Sequence, residues 1–223
     1  MKVVFHGHAC FELDTGEHKL LFDPYLRDNP VATIGPEDVD PDYILVSHAH
    51  FDHLGDAVDI ARRTQALIIT TAEVASKCSE EGVQAHGMHI GGCRSFDFGK
   101  VRLTPALHGA GVPGGHACGF IVVTGGYTTY FAGDTGVFGD MRLLAELESI
   151  DLALLPIGDN FTMGVADAVL AVKMLDPKLV IPYHYNTWPL IQADPLEFKR
   201  EVEGQTTARV EIVQPGGELT LEG

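Results

Sequence analysis

The sequence predicts an α/β protein in which two packed β-sheets are flanked by helices, built as one domain over residues 1–223. Strand-like and helix-like segments alternate along the chain in a pattern that repeats about twice. With 223 residues, of which 45% are hydrophobic, the chain can bury a sizeable core, and no change of composition indicates a linker. Together these observations favour a single compact domain.

Short apolar or alternating runs bounded by turn residues indicate the strands of the first half, and apolar residues at helical spacing indicate its helices. Thr15-Gly16 marks a hairpin turn between the second and third strands. The expected elements are, in order, strands at 3–5, 11–14, 19–22 and 43–46, a helix at 56–63, a strand at 66–70 and a helix at 72–81.

The second half shows the same alternation, with Gly125-Gly126 at another hairpin turn. Met141, Leu144 and Leu147 share one face of an expected helix, so this face is predicted to pack against the core. The expected elements are strands at 101–106, 119–124 and 128–132, a helix at 141–148, a strand at 151–156, a helix at 165–175, a strand at 179–182, a helix at 195–203 and a strand at 209–213.

A dense group of metal-binding residue types follows the fourth expected strand. His48, His50, Asp52 and His53 form an H-x-H-x-D-H run. Imidazole and carboxylate donors are the set that holds Zn, Fe or Mn in hydrolytic sites. In extended backbone positions 48, 50 and 52 share one face, and the turn into the next helix brings His53 round. The run therefore predicts a metal site, whereas the isolated histidines His18, His86 and His89 are expected at the surface.

This run resembles the signature of the metallo-β-lactamase superfamily, and three later residues match its remaining metal motifs in order. His108 follows strand 101–106, Asp134 lies in Phe131-Ala132-Gly133-Asp134-Thr135, and His184 follows strand 179–182. The resemblance implies an αββα sandwich with the site at one edge between the sheets. It also implies one metal on His48, His50 and His108, a second on Asp52, His53 and His184, and Asp134 as the bridge.

Two further segments resemble the branch of this superfamily that contains ascorbate-6-phosphate lactonase and related metal-dependent hydrolases. The first is Phe5-His6-Gly7-His8-Ala9-Cys10-Phe11, and the second is the loop Gly158-Asp159-Asn160-Phe161-Thr162-Met163-Gly164. We therefore expect His8 to act in catalysis with Asp52 and Asp134. The expected substrate-binding residues, which leave strands at the same edge, are Asn160, Met163, Tyr185 and Asn186. The sequence assigns no role to His6 or His116.

The chemistry of a paired-metal site predicts a hydrolase. Water bound between two cations ionises near neutral pH, and the resulting hydroxide attacks a carbonyl or phosphorus. No G-x-S-x-G segment supports a serine nucleophile. Since only 39 residues follow His184, we expect a minimal core that acts on a small molecule, without the added substrate-binding regions of larger relatives. Cleavage of a small ester, lactone or amide is the preferred function, with phosphodiester cleavage, as in nucleases of this fold, and non-catalytic metal binding as alternatives.

The acidic balance of the chain bears on its partners. The sequence has 31 Asp and Glu against 15 Lys and Arg, for a formal net charge of -16. Even two divalent ions leave this charge strongly negative, which disfavours nucleic acid and favours a small-molecule substrate. Zn, Mn, Fe and Ni all accept imidazole and carboxylate ligands, so each fits the expected pair of divalent ions. The sequence is also compatible with a homo-oligomer.

Composition and hydropathy indicate the compartment. No apolar run approaches the length of a membrane span, and the N-terminus is expected to form an amphipathic strand rather than a signal peptide. The cysteines, expected to be reduced because they lack C-x-x-C spacing, are Cys10, Cys78, Cys93 and Cys118. We therefore expect a cytoplasmic protein without membrane contact.

Overall fold

Two seven-stranded β-sheets face each other, and helices cover their outer faces. The structure, a computed structural model, describes residues 1–222. The first strands are β1 (Lys2–Gly7), β2 (Cys10–Asp14), β3 (Lys19–Phe22), β4 (Tyr43–Leu45), β5 (Leu67–Thr71), β6 (Ala85–Met88) and β7 (Cys93–Phe96). The others are β8 (Gly99–Pro105), β9 (Cys118–Thr124), β10 (Tyr127–Phe131), β11 (Leu152–Pro156), β12 (Leu179–Tyr183), β13 (Arg209–Val210) and β14 (Gly217–Thr220).

Helices connect the parallel strands of both sheets. They are α1 (Phe51–Leu54), α2 (Ala57–Thr64), α3 (Ala72–Glu80), α4 (Met141–Leu147), α5 (Val165–Leu175) and α6 (Pro195–Gln205), with a short 3-10 turn at Pro189–Ile191. The αββα sandwich predicted from the sequence is thus confirmed. None of the helices in residues 1–222 is both long and apolar enough to cross a membrane.

The strand directions decide where the functional residues meet. The first sheet has the order β14-β1-β2-β3-β4-β5-β6, antiparallel up to β3 and parallel from there. The second has the order β13-β12-β11-β10-β9-β8-β7, parallel up to β10 and antiparallel beyond. As a result β1, β3 and β4 run in one direction, and so do β8, β10 and β12. The segments that leave these strands at their carboxyl ends therefore share one edge within each sheet.

An aromatic cluster joins the two sheets below this edge. Phe22 and Phe131 are fully buried, and their ring centroids lie 5.1 Å apart. Phe131 also stacks on Tyr183, with the centroids 5.3 Å apart and the rings tilted by 8°. Each of these aromatics ends a strand that precedes a site residue. Removing such a ring costs about 3–5 kcal/mol, so the cluster gives the site a rigid base.

The outer faces of the sheets are covered by two separate apolar layers. Ala57, Ile60 and Val74 of α2 and α3 pack on the first sheet. Helices α4, α5 and α6 cover the second sheet, where Met141 and Leu144 are buried as predicted. Leu147 is 55% exposed, so the prediction that it faces the core was wrong. It is the last residue of α4, where the chain leaves the sheet.

Four elements were missed in the sequence, and one was overextended. The helix α1 and the strands β6, β7 and β14 have no counterpart among the expected elements. The strands β7 and β14 are largely exposed edge strands, which lack the apolar alternation of a half-buried strand. Of the strand expected at 209–213, only Arg209–Val210 pairs with the sheet.

Candidate metal centre

The H-x-H-x-D-H run occupies the turn between β4 and α1. His48 and His50 follow β4 in extended backbone, whereas Asp52 lies one residue into α1 and does not continue their face. The helix ends at Gly55, whose φ is 42° and where a Cβ atom would lie 2.4 Å from the Pro24 carbonyl oxygen. A side chain cannot fit there, and this tight packing holds α1 against the segment after β3.

The first group of ligand atoms belongs to His48, His50 and His108. Their ring nitrogens all lie within 4.8 Å of one another. Nε2 of His48 and Nδ1 of His50 are 2.9 Å apart. His108 comes from the loop after β8, in the other sheet, and its ring centroid lies 5.0 Å from that of His48. The structure therefore brings together the three histidines that the resemblance assigned to one metal.

The second group contains Asp52, His53 and His184, and it also includes His8. The ligand atoms of these four residues again lie within 4.8 Å of one another. His53 and His184 stack with their ring centroids 5.5 Å apart and an angle of 16° between the rings. The resemblance assigned the first three to a second metal, and the structure places His8 beside them.

Asp134 lies between the two groups. Its Oδ2 atom is 3.2 Å from Nε2 of His53 and 3.1 Å from Nε2 of His184, both in the second group. The same oxygen is 3.6 Å from Nε2 of His108, in the first group. A carboxylate in this position faces both sets of ligands, as a bridging residue must.

Several buried polar atoms of the site lack a hydrogen-bond partner within residues 1–222. They include Nε2 of His53, Nε2 of His184 and Oδ1 of Asp134. Burying such atoms without a partner costs about 1–3 kcal/mol each. These imidazole nitrogens and this carboxylate oxygen lie close together, and such atoms are common ligands of divalent transition metals. Binding of divalent cations would satisfy them, so the residues fit a metal centre.

Burial and mutual charge set the protonation of this cluster. Burial lowers the pKa of His48 well below its ordinary value of 6.5, which keeps the imidazole neutral and able to ligate. Burial alone would raise the pKa of Asp134, but the facing His53 and His184 hold it well below 3.8. The cluster therefore presents the Asp134 carboxylate and a neutral His48. Burial opposes the charged form of His53, but the facing Asp134 and Asp23 raise the pKa of His53 well above 6.5, so this imidazole must release a proton to ligate a cation.

Asp23 supports both groups and was missed in the sequence. Its carboxylate is fully buried and accepts a hydrogen bond from His53 Nδ1 at 2.7 Å. It also accepts bonds from the backbone N–H and the hydroxyl of Ser47, at 2.7 and 2.5 Å. The Ser47 oxygen lies 2.9 Å from Nδ1 of His48. One carboxylate thus fixes the ring orientation of a histidine in each group, the arrangement that supports metal ligands in proteins.

His8 lies behind Asp52 rather than in the open pocket. Its Nε2 is 3.2 Å from Oδ2 of Asp52, its Nδ1 is 2.9 Å from the hydroxyl of Thr187, and its side chain is fully buried. The φ of His8 is 57°, and that of His184 is 56°, both in the left-handed region that non-glycine residues rarely adopt. The His184 N–H donates to the His8 carbonyl at 2.9 Å. Strained backbone therefore coincides with the site.

An open pocket of 380 Å³ lies over the two groups. It is lined by His50, Phe51, Asp52, His108, Asp134, Phe161, His184, Trp188 and Leu190. Five of these nine residues are predicted site residues, and the other four are large and apolar. A pocket of this size suits a small molecule.

The four residues predicted to bind substrate do not line this pocket. Asn160 is exposed beside it. Both polar atoms of the Asn186 side chain bond the backbone of Ala193, and Tyr185 packs against the helix layer of the second sheet. Met163 is fully buried in that same layer, and this position argues against the substrate contact predicted for it. The pocket wall that was missed comes instead from Phe161, next to the predicted Asn160, and from the segment 188–190.

The fold and the paired His and Asp groups define a metallo-hydrolase-like protein of the αββα class. The family model described as beta-lactamase superfamily domain matches residues 14–185. The chain is 53% identical over 221 residues to a UPF0173 metal-dependent hydrolase of Natranaerobius thermophilus, with 99% of this chain and 100% of the relative covered. It is 54% identical to one of Pelotomaculum thermopropionicum, with the same coverage.

Solved structures give the same fold. Igni18, described as a novel metallo hydrolase of Ignicoccus hospitalis, superposes with a TM-score of 0.94 at 37% identity, covering 100% of this chain and 98% of its own. An isothiocyanate hydrolase from Delia radicum gut bacteria has a TM-score of 0.81 at 21% identity, with 99% of each chain covered, and shows the fold alone.

The chain belongs to the metallo-β-lactamase superfamily, in the family of UPF0173 metal-dependent hydrolases. The prediction of a metal-dependent hydrolase is confirmed at this level. The relatives named above carry no substrate in their names, apart from the isothiocyanate hydrolase, so the closer resemblance to the ascorbate-6-phosphate lactonase branch stays a prediction.

Proposed function

We propose that the protein hydrolyses a small ester, lactone or amide with two divalent transition-metal ions. The observation that carries this proposal is the position of Asp134, whose Oδ2 faces ligand atoms of both histidine groups. One ion would be held by His48, His50 and His108, and the other by Asp52, His53 and His184. Seven donors exceed the needs of a single four-coordinate ion.

A pair of such ions would supply hydroxide near neutral pH and polarise the substrate oxygen. The residues of the chain position the groups that act on the substrate. Asp52 lines the pocket and is fixed from behind by His8, so its carboxylate is oriented toward the reacting atoms. His8 is thereby a positioning residue, with Thr187 bonding its other nitrogen.

The proposed substrate is a small molecule rather than a polyanion. Within residues 1–222, no Lys or Arg lines the pocket, and the formal net charge of the chain is -16. Both features oppose the binding of nucleic acid, which depends on basic residues that contact phosphates. We place phosphodiester cleavage second for the same reason, and we expect the protein to act in the cytoplasm.

The test begins with metal-free protein, to which Zn, Mn, Fe or Ni is restored separately. Each form is assayed with p-nitrophenyl acetate, a lactone, an anilide and bis(p-nitrophenyl) phosphate. We expect chelator-sensitive turnover of the carbonyl substrates, and two ions per chain by elemental analysis. Preferred turnover of the phosphodiester would replace the proposal by its alternative. Full metal binding without turnover of any of these substrates would contradict the proposed hydrolysis of esters, lactones or amides.

A further inference from the structure

The wall of the pocket is apolar although it stands in solvent. The side chains of Phe51, Phe161 and Leu190 are 69%, 49% and 68% exposed, and all three line the pocket together with Trp188. They come from separate parts of the chain, namely α1, the loop after β11 and the 3-10 turn after β12. Exposed apolar side chains that converge on one cleft mark a binding surface.

The polar side chains of this pocket are the proposed metal ligands alone. In the described part of the chain, no Lys or Arg side chain lines the pocket to pair with a phosphate or carboxylate on the part of the substrate away from the proposed metals. An anionic group away from the reacting carbonyl would meet only Phe51, Phe161, Trp188 and Leu190, and its desolvation would go uncompensated. The wall therefore discriminates against phosphorylated substrates.

The wall is held in place before any ligand binds. The ring centroid of Trp188 lies 4.7 Å from that of His8 and 6.1 Å from that of Phe51. The loop that carries Phe161 is fixed at its end, because the Met163 N–H donates to the Thr135 carbonyl at 2.9 Å, next to Asp134. A preorganised wall loses little conformational entropy on binding.

We propose that the substrate carries an uncharged alkyl or aryl group that packs against Phe51, Phe161, Trp188 and Leu190 while its carbonyl faces the metal ligands. This inference rests on the proposed function, whose substrate class it narrows. A small ligand is favoured over a second copy of the chain, because a stable dimer needs roughly 800 Å² on each partner. A concave pocket of 380 Å³ fits a small molecule.

The first measurement is of binding and does not depend on turnover. Trp188 is the single tryptophan of the chain, so its fluorescence reports on the pocket. Metal-loaded protein is titrated with acetohydroxamate, octanohydroxamate and a hydroxamate of similar length that ends in a phosphonate. The metal-binding head group is constant, and only the tail changes. We expect octanohydroxamate to bind at least about tenfold tighter than acetohydroxamate, since each buried methylene contributes roughly fourfold. The hydroxamate that ends in a phosphonate should bind no more tightly than acetohydroxamate.

A matched pair of variants localises the effect. Leu190→Ser changes the wall, and Leu196→Ser removes a leucine that is 61% exposed on α6 and lies outside the pocket. Leu190→Ser should weaken octanohydroxamate by about threefold to tenfold and leave acetohydroxamate unchanged. Leu196→Ser should bind both as the wild type does. Equal affinities for the two tails, or equal losses for both ligands in Leu190→Ser, would overturn the inference.

Two further readouts separate this inference from the proposed function. p-Nitrophenyl acetate and octanoate are compared by kcat/KM: equal values would leave the hydrolase standing and overturn the apolar subsite. Tail-dependent binding without turnover of either ester would support the subsite and contradict the hydrolase. Sedimentation of the wild type and both serine variants tests the other occupant, because a dimer lost only in Leu190→Ser would make this wall a subunit interface and overturn the inference.

Discussion

Substitution of Asp23 by Asn tests whether one buried carboxylate organises both halves of the metal centre. Asp23 accepts hydrogen bonds from His53 Nδ1 and from the hydroxyl of Ser47 through the same oxygen, Oδ2. In the Asp23→Asn variant, an amide N–H₂ that replaces this oxygen would face two donors. His53 would then have to adopt the other tautomer, in which Nδ1 accepts a hydrogen bond from the new amide and Nε2, the atom that faces Asp134, carries the proton. A protonated Nε2 cannot bind a metal.

The size of the effect follows from the contacts that are lost. A hydrogen bond to a charged group contributes about 1.5–3 kcal/mol, and loss of such support for a metal ligand costs roughly 10–100-fold in metal affinity. That range corresponds to about 1.4–2.7 kcal/mol of binding free energy. The ion held by His53 should be lost first, because His48 is linked to Asp23 only through Ser47.

Competition with a chromophoric chelator measures this change, and thermal unfolding of the metal-free proteins checks the fold. Asp56→Asn is the matched control. The Asp56 carboxylate is 8% exposed and accepts bonds from the backbone N–H groups of Leu26 and Arg27, but it contacts none of the proposed ligands. Binding of both ions by Asp23→Asn within threefold of the wild type, or an equal loss of metal in Asp56→Asn, would contradict this role of Asp23.

Three further predictions follow from the same geometry. Asp134→Ala should lose both ions and all activity, whereas elemental analysis of His18→Ala should match the wild type; retention of one tight ion in Asp134→Ala would contradict the bridge. His8→Ala should keep both ions but lose about tenfold or more in kcat/KM, with partial rescue in His8→Gln, whose amide can donate to Asp52; unchanged kinetics would remove His8 from the site. Burial lowers the pKa of His6 from 6.5 to about 4 in the folded protein. Between these pH values the unfolded chain binds a proton at His6 that the folded protein does not bind, so the free energy of unfolding decreases as the pH falls. In urea unfolding of the metal-free proteins, the free energy of unfolding of the wild type should therefore decrease between pH 6.5 and 4 by up to about 3 kcal/mol more than that of His6→Leu. The same pH dependence of unfolding in both proteins would count against this.

The proposed metal ligands stand out in the sequence because each lies in the loop that follows a strand or in the first turn of the next helix. His108, Asp134 and His184 each leave the carboxyl end of a strand in the second sheet, and those strands run in the same direction. The H-x-H-x-D-H run is a local pattern, whereas His108, Asp134 and His184 were assigned to the same site through the family resemblance, because they match its remaining motifs in order. The αββα order follows from local alternation of elements.

The supporting residue and the pocket wall depend on contacts that local patterns do not encode. Asp23 stands in Phe22-Asp23-Pro24 at the end of β3, the same position that the ligands take after their strands, and this signal could have identified it. Met163 and Phe161 lie in one loop, two residues apart. Which of them turns into the helix layer and which toward the pocket is decided by the Met163 N–H bond to Thr135, a contact over 28 residues.

The left-handed backbone of His8 and His184 explains why the two sheets must be assembled before the site exists. The conformation costs roughly 1–2 kcal/mol at each residue, and neither would adopt it in an isolated strand. The bond from the His184 N–H to the His8 carbonyl joins the end of β12 to the end of β1, across the sandwich. In this arrangement the His184 ring faces Asp134, and the His8 ring lies behind Asp52. The strain is offset by packing of the whole fold, so site residues from distant parts of the chain gain their geometry only in the folded state.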